Sequence, residues 1–397
     1  MPADGAEDAA VSRTGDLTTT VALLEKVGEP LVIEEVSLAP PGPGEVRLRI
    51  EASGVCHSDW NVLTGNSSTP LPAVLGHEGA GVVLELGEGV TGLAPGDAVM
   101  LSWLPWCGKC RNCQRGRLAL CSVATSRMGD GTLPTGAIRY ERASGAPLYH
   151  YSYLSTFARH AVVSASCCIK LTPGTDLEVA ALVGCAVMTG VGAVLNRARV
   201  EAGSSVAVIG AGGVGLSAIM AARLSGAEQV IAVEPVAHKR QLALELGATS
   251  ALDGSSPGVL DQLRELTDGG PDYVIEAAGI NALVELAVAA VRPGGMVVGV
   301  GLPAGGSTAA IPWPEVVRQE KTLTGTFYGS ARPALDMPMT LRLHAEGRLP
   351  LERLVTRRYR LHDVNEAFSD MTSGVVARGV LRPWGERAPE EVARADR

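Results

Sequence analysis

At 397 residues, 46% of them hydrophobic, the chain exceeds the length at which one core stops growing, so two domains are predicted. Only 19% of residues are charged and 4% aromatic, a balance rich in Ala, Val, Leu and Gly that suits an α/β protein and excludes a disordered or fibrous one. The net charge of −8, with no basic stripe, excludes nucleic acid as a partner, because phosphates demand clustered Lys and Arg; the arginines of 353–360 read as a solvated strand edge.

Residues 1–18 read as a flexible tail, without the basic start and apolar run of a secretory leader. No 18-residue stretch free of charge and turn residues predicts a membrane span, so a cytoplasmic protein without membrane contact is expected. From about Thr18 to Phe157, short alternating runs broken by Gly and Pro predict strands at 46–52, 79–87 and 97–103, with turns at 40–45 and 93–98. An all-β lobe follows from that texture.

Within it, Cys107, Cys110, Cys113 and Cys121 have the spacing Cys-x2-Cys-x2-Cys-x7-Cys. Four thiolates so spaced surround a tetrahedral Zn²⁺ and leave no open position, which describes a structural site. Disulfides, the competing explanation, require an oxidising compartment.

After Pro173 helix and strand alternate, beginning with an Ala/Val-rich segment at 177–196. Strands are predicted at 205–210, 230–234, 249–252, 272–277, 296–300 and 322–327, with helices ending near Ser225 and at 236–247, 257–267 and 281–291. Six such strands make a doubly wound parallel sheet. Strands at 354–361 and 379–384 return the chain to the first lobe, and a charged tail begins at Gly385. The expected organisation is a β-rich catalytic domain at 19–186 and 329–397 around a nucleotide-binding domain at 187–328.

Gly210, Gly212, Gly213, Val214 and Gly215 form a G-x-G-x-x-G between the first strand of that sheet and its helix. Glycine there lets the backbone turn and approach a pyrophosphate, while the helix N-terminus offers amide hydrogens to the anion. Glu234 ends the next strand, where a carboxylate accepts from ribose hydroxyls and repels a 2′-phosphate, so NAD is favoured over NADP. Lys239, with His238 and Arg240, offsets part of that repulsion.

Cys56, His77 and Cys185 are scattered, and each alone has a duller explanation: a buried Cys is a small hydrophobe, and a lone His is usually hydrogen-bonded. However, the strings GVCHSDW at 54–60, GHEGAGVV at 76–83, the four-cysteine cage, GCAVMTGVGAVLN at 184–196 and VIGAGGVGL at 208–216 occur in one order. In that order the chain resembles the zinc-dependent medium-chain alcohol dehydrogenases across nearly all of residues 20–385.

The resemblance implies a GroES-like catalytic domain and a Rossmann domain, two zinc ions per chain, and hydride transfer between NAD(H) and a zinc-bound alkoxide. Bringing a hydroxyl pKa from near 16 to about 7–9 corresponds to roughly 10–12 kcal/mol of differential stabilisation. By the same resemblance Cys56, His77 and Cys185 would hold the catalytic zinc, with Asp59 and Glu78 behind them. Ser58 would hydrogen-bond the substrate oxygen, His57 and Arg378 would face the pyrophosphate, and Thr189 and Val214 would pack on the nicotinamide. Trp103, Tyr151 and Ser152 would line the substrate pocket, whose aromatics favour a primary alcohol or aldehyde over a bulky secondary alcohol.

Asn61 stands where many relatives carry a proton-relay His, so proton release through water is expected. Cys167 and Cys168 have no metal role in this reading. A thiol-adduct formaldehyde dehydrogenase and a biosynthetic reductase of a conjugated aldehyde or imine remain alternatives within the subfamily, and a non-catalytic NAD-binding module is the alternative outside it. The long 121–157 loop and a strand at 307–311, pairing across a two-fold, imply a homodimer.

Overall fold

The computed structural model describes residues 15–385; most of both expected tails lies outside them. Leu17, assigned to the tail by sequence, already opens the first strand, Leu17–Leu24. This strand closes a small barrel with Val32–Leu38, Tyr140–Glu141, Pro147–His150 and Ala73–Val74. Two of these strands fall inside the 121–157 stretch that the sequence presents as a loop. Runs of two and four residues are too short to display a period of two.

The second sheet of the β-rich lobe has Glu45–Gly54 near its centre, flanked by Gly79–Leu86 and Arg378–Arg382 and also paired with His160–Ser164. Val46, Leu48, Ile50 and Ala52 alternate into the core and are buried. The lobe is not all β. His57–Leu63 forms a helix directly after the central strand, and helical turns surround the cysteine cage. The arginine-rich strand Val355–Arg360 is the outer strand of this sheet, as expected, and pairs in parallel with Arg378–Arg382.

The third sheet is wholly parallel, in the order Ser250–Leu252, Gln229–Val233, Ser205–Ile209, Tyr273–Glu276, Met296–Gly299, Thr322–Gly325. Counted along the chain this is 3-2-1-4-5-6. Neighbouring loops diverge between its first and fourth strands, so the crevice for a ligand opens after Ile209 and Glu276. Segment 307–311, expected as a strand, forms none within the chain; the Ala310 amide donates to Glu285 instead.

One helical segment, Leu177–Ala198, joins the two lobes. Its 22 residues are long and apolar enough to cross a membrane by length and composition, but 83% of its 18-residue apolar window is buried inside the chain. It is a core helix. Three glycines let it approach backbone on three sides: a Cβ on Gly184 would lie 2.5 Å from the Leu101 carbonyl oxygen, one on Gly190 2.2 Å from that of Val214, and one on Gly192 2.1 Å from that of Gly329. The helix therefore fixes the catalytic lobe, the glycine-loop helix and the return crossover to one another without intervening side chains.

Candidate active site

Cys56 caps the N-terminus of helix His57–Leu63, His77 and Glu78 precede strand Gly79–Leu86, and Cys185 lies in a π-helical turn, Val183–Val187, of the joining helix. These three places converge. One donor atom from each of Cys56, His77, Glu78 and Cys185 lies within 4.8 Å of every other, and all four residues are buried. Gly76 allows the turn into His77: its φ is +91°, and a Cβ there would sit 2.5 Å from the Phe157 amide nitrogen.

His77 Nδ1 lies 3.1 Å from Asp59 Oδ2, and Asp59 Oδ1 accepts the Gly76 N–H at 2.9 Å. Nε2 is thereby turned away from the carboxylate, buried and without a hydrogen-bond partner. The thiols of Cys56 and Cys185 share a hydrogen bond that pushes Cys56 well below the ordinary thiol value and Cys185 well above it. Burial opposes charge on His77, yet Asp59 and Cys56 raise its pKa well above the usual imidazole value. Two sulfurs and an unpartnered imidazole nitrogen, all buried and converging, are the donor set of a Cys₂His zinc. Glu78, expected behind the ligands, stands within reach of them as a fourth donor.

Ser58 is exposed beside the cluster, its Oγ 3.8 Å from Cys56 Sγ. Trp103 and Tyr151 both set their rings edge-on to His77, with centroids at 6.4 and 5.6 Å, and the Tyr151 hydroxyl donates to the Ser58 carbonyl at 3.2 Å. Ser152 follows in left-handed backbone at φ 48° and is buried. Sequence reasoning missed the neighbours that complete this wall, Phe327 and Tyr328, at 5.3 and 4.7 Å from the Trp103 ring. The available signal was an aromatic pair at the very end of the last predicted strand of the nucleotide lobe, 322–327.

The glycine loop leaves strand Ser205–Ile209 and enters helix Gly213–Leu224. Gly210 has φ +94°, and a Cβ on Gly215 would lie 1.7 Å from the Gly210 carbonyl oxygen, so helix and strand meet as closely as a dinucleotide fold requires. Gly212 has open space above it, suited to an anion approaching the backbone. Thr189 and Val214 are both half-buried where the joining helix meets this loop.

Glu234 ends the neighbouring strand as expected, but its carboxylate accepts the Ala211 and Val236 amides at 2.8 and 3.0 Å, so it braces the loop as well. Arg378, expected to face only the cofactor, ion-pairs with Glu78 and lays its stem against Gly213. His57 is exposed, with the charges of Arg378 and Lys239 close enough to act on it.

In the second cluster Cys107, Cys110, Cys113 and Cys121 also bring their sulfurs within 4.8 Å of one another. Amide hydrogens of Cys110, Cys113 and Cys107 point at the sulfurs of Cys107, Cys110 and Cys121 at 3.3–3.5 Å. The Cys113 amide, with Ser122, pushes Cys110 down to about 5, whereas burial pushes Cys113 up to about 12. All eight cysteines are free thiols, which removes the disulfide alternative from the structure. Cys167 and Cys168 lie outside both clusters.

A GroES-like lobe carrying two clusters of side chains able to hold a metal ion, joined to a Rossmann sheet, is the architecture of a zinc-binding dehydrogenase. The model for an alcohol dehydrogenase GroES-like domain matches residues 42–173, and that for a zinc-binding dehydrogenase matches 213–345. The chain is 39% identical over 369 residues to the NDMA-dependent alcohol dehydrogenase of Amycolatopsis methanolica, covering 92% of this chain and 99% of that one. Two solved structures are similar: an alcohol dehydrogenase zinc-binding domain protein from Burkholderia ambifaria (38% identity, TM-score 0.89) and benzyl alcohol dehydrogenase from Acinetobacter calcoaceticus (32%, 0.87). Each covers 92% of this chain and 99% of its own. The chain belongs to the zinc-dependent medium-chain alcohol dehydrogenase family.

Proposed function

We propose that the protein transfers a hydride between NAD(H) and a primary alcohol/aldehyde pair, aromatic members included, at a zinc held by Cys56, His77 and Cys185. The convergence of these buried donors beside the glycine loop carries this reading. Bound Zn²⁺ would supply Lewis acidity toward the substrate oxygen, and NAD⁺ the hydride acceptor.

The chain's own side chains would do the orienting. Asp59 fixes the His77 ring through Nδ1. The Ser58 hydroxyl would hold the substrate hydroxyl, while Trp103 and Tyr151 narrow the space for substituents on its carbon. Glu234 would receive the ribose hydroxyls and disfavour a 2′-phosphate. Arg378, His57 and Lys239 would supply positive charge to the pyrophosphate, and Thr189 with Val214 would support the nicotinamide ring. Asn61 has no proton to exchange near neutral pH, so the substrate proton would leave through water. The four-cysteine cage would hold the second, structural zinc.

The likeness to a benzyl alcohol dehydrogenase supports an aromatic substrate. A homodimer is supported by the exposure of Ile280, Leu302, Trp313 and Val317 near the outer strand Thr322–Gly325 of the parallel sheet.

A panel of primary and secondary, aliphatic and aromatic alcohols with NAD⁺ and NADP⁺, run with metal analysis on the same sample, tests the proposal. Two zinc ions per chain and NADH formation from a primary alcohol are expected. One zinc per chain with no turnover of any alcohol or aldehyde would overturn it.

A further inference from the structure

Tyr328 lies just past Thr322–Gly325, the last strand of the parallel sheet, where the chain leaves the nucleotide lobe. Its ring is 2% exposed. The hydroxyl donates to the Gly184 carbonyl at 2.6 Å, with Ser102 Oγ at 3.4 Å. Gly184 immediately precedes Cys185 in the π-helical turn, a widened ring typical of functional sites. The same phenol ring stacks, tilted by 52°, on Trp103, whose ring in turn stands edge-on to His77. One side chain thus reaches the turn of one metal-binding residue by a hydrogen bond and a second such residue through a single intervening ring.

The backbone beneath it is unusual. Tyr328, Gly329 and Ser330 are successive left-handed residues with φ of 53°, 61° and 52°, a conformation disfavoured for residues carrying a Cβ. Surrounding structure imposes it: a Cβ on Gly329 would lie 2.3 Å from the Met188 carbonyl oxygen, and Thr326 and Ser330 hydroxyls meet at 2.9 Å across the turn. Strain of this kind persists where neighbours over-determine it, and here it aims the phenol at Gly184.

We propose that Tyr328 is a positioning residue that fixes the Cys185 turn and the Trp103 wall as one unit, so that metal geometry and substrate pocket are set together by the end of the nucleotide lobe. This rests on the reading of Cys185 as a metal ligand. A phenylalanine would fill the same space; only the hydroxyl reaches the Gly184 carbonyl, so the role belongs to that oxygen.

The test compares the zinc enzyme and its Co²⁺-exchanged form in the parent and in Tyr328→Phe. Loss of hydrogen-bonded support behind a metal ligand costs about 10–100-fold in metal affinity, so metal release to a chelator from the catalytic site is expected to be at least about tenfold faster in the variant. The thiolate-to-cobalt absorption of that site should shift, while the cage metal stays bound. Tyr328→Leu, which also removes the ring from Trp103, should raise KM for an aromatic alcohol more than Tyr328→Phe does. An unchanged cobalt spectrum with unchanged release in Tyr328→Phe overturns the proposal, as does equal loss of both metals, which would mark the hydroxyl as merely structural. A parent enzyme that binds cobalt in the four-cysteine cage alone would sink the metal reading of Cys185 instead.

Discussion

Arg378 joins the two halves of the site, its guanidinium paired with Glu78 of the buried donor cluster and its stem packed on Gly213 of the dinucleotide loop. Both partners are buried, at 5% and 0% side-chain exposure. Removing one member of a buried pair strands the other charge, at a cost of about 3–5 kcal/mol. Arg378→Met is therefore expected to destabilise the protein by that amount and to weaken NAD⁺ binding. Glu78→Gln removes the carboxylate's charge and leaves a guanidinium that cannot deprotonate, so a comparable loss is expected of it. Denaturation of both variants and the double variant, at saturating zinc, checks this; a double variant no more stable than Arg378→Met would rule out stranded charge as the cause.

Glu234 braces the glycine loop and, in the proposed function, also reads the ribose; substitutions can separate the two tasks. Glu234→Gln retains an acceptor oxygen but removes the charge, so KM for NAD⁺ should rise by about tenfold, the equivalent of one charge-assisted hydrogen bond. The kcat/KM for NADP⁺ should rise at the same time. Glu234→Ala also releases the Ala211 and Val236 amides and should lower stability by an additional 1–3 kcal/mol or so. Steady-state kinetics with both cofactors and an unfolding curve suffice. An unaltered NAD⁺/NADP⁺ ratio in Glu234→Gln would mean that the carboxylate does not read the ribose.

Much of this was legible in the sequence because the relevant signals are local. The cage residues Cys107 to Cys121 are spaced to meet without help from distant chain, and the glycine loop has strand and helix on either side of it. The parallel strands read as continuous apolar runs, and each appears within a residue or two of its expected end. The pairings that depend on the assembled fold were not legible. Nothing near Arg378 in the sequence announces Glu78, 300 positions earlier, and nothing near Tyr328 announces Gly184. The barrel strands Tyr140–Glu141 and Pro147–His150 exist because partners are already in place, not because their own sequences alternate. The Ala/Val-rich segment at 177–196 was legible as the entry to the second lobe, but not its role as one 22-residue helix whose glycines are contact points for three other parts of the backbone.

Asn61 lies within helix His57–Leu63, one turn beyond His57 and Ser58. An amide does not titrate near neutrality, so Asn61→His introduces a group with an ordinary pKa of about 6.5 on that turn. The pH profile of alcohol oxidation should gain an inflection at about pH 6–7, with a rate change below about tenfold at its plateau. The profile of kcat, in parent and variant, decides the matter. Superimposable curves would show that the proton's exit does not pass this side chain.

Acid sensitivity should come in part from the barrel, from an imidazole that belongs to neither donor cluster. His150 is buried in it, its Nε2 accepting the Arg139 amide at 3.1 Å, and burial, reinforced by the Arg139 charge, pushes its pKa down to about 3. Unfolded, the same imidazole titrates at about 6.5, so between these values the unfolded chain binds the extra proton and stability falls with pH. The contribution is complete above pH 6.5 and shrinks by about 1.4 kcal/mol per pH unit below it, or about 2 kcal/mol by pH 5. His160, pushed down to about 4 chiefly by burial, adds a smaller loss in the same direction because it is only partly buried. His150→Gln removes the titration while offering an oxygen to the Arg139 amide, so its stability should fall less between pH 8 and pH 5. Metal ligands protonate alike in both proteins, and the difference between the two pH-dependent changes therefore isolates His150. Parallel losses in parent and variant would remove the barrel imidazole from the account.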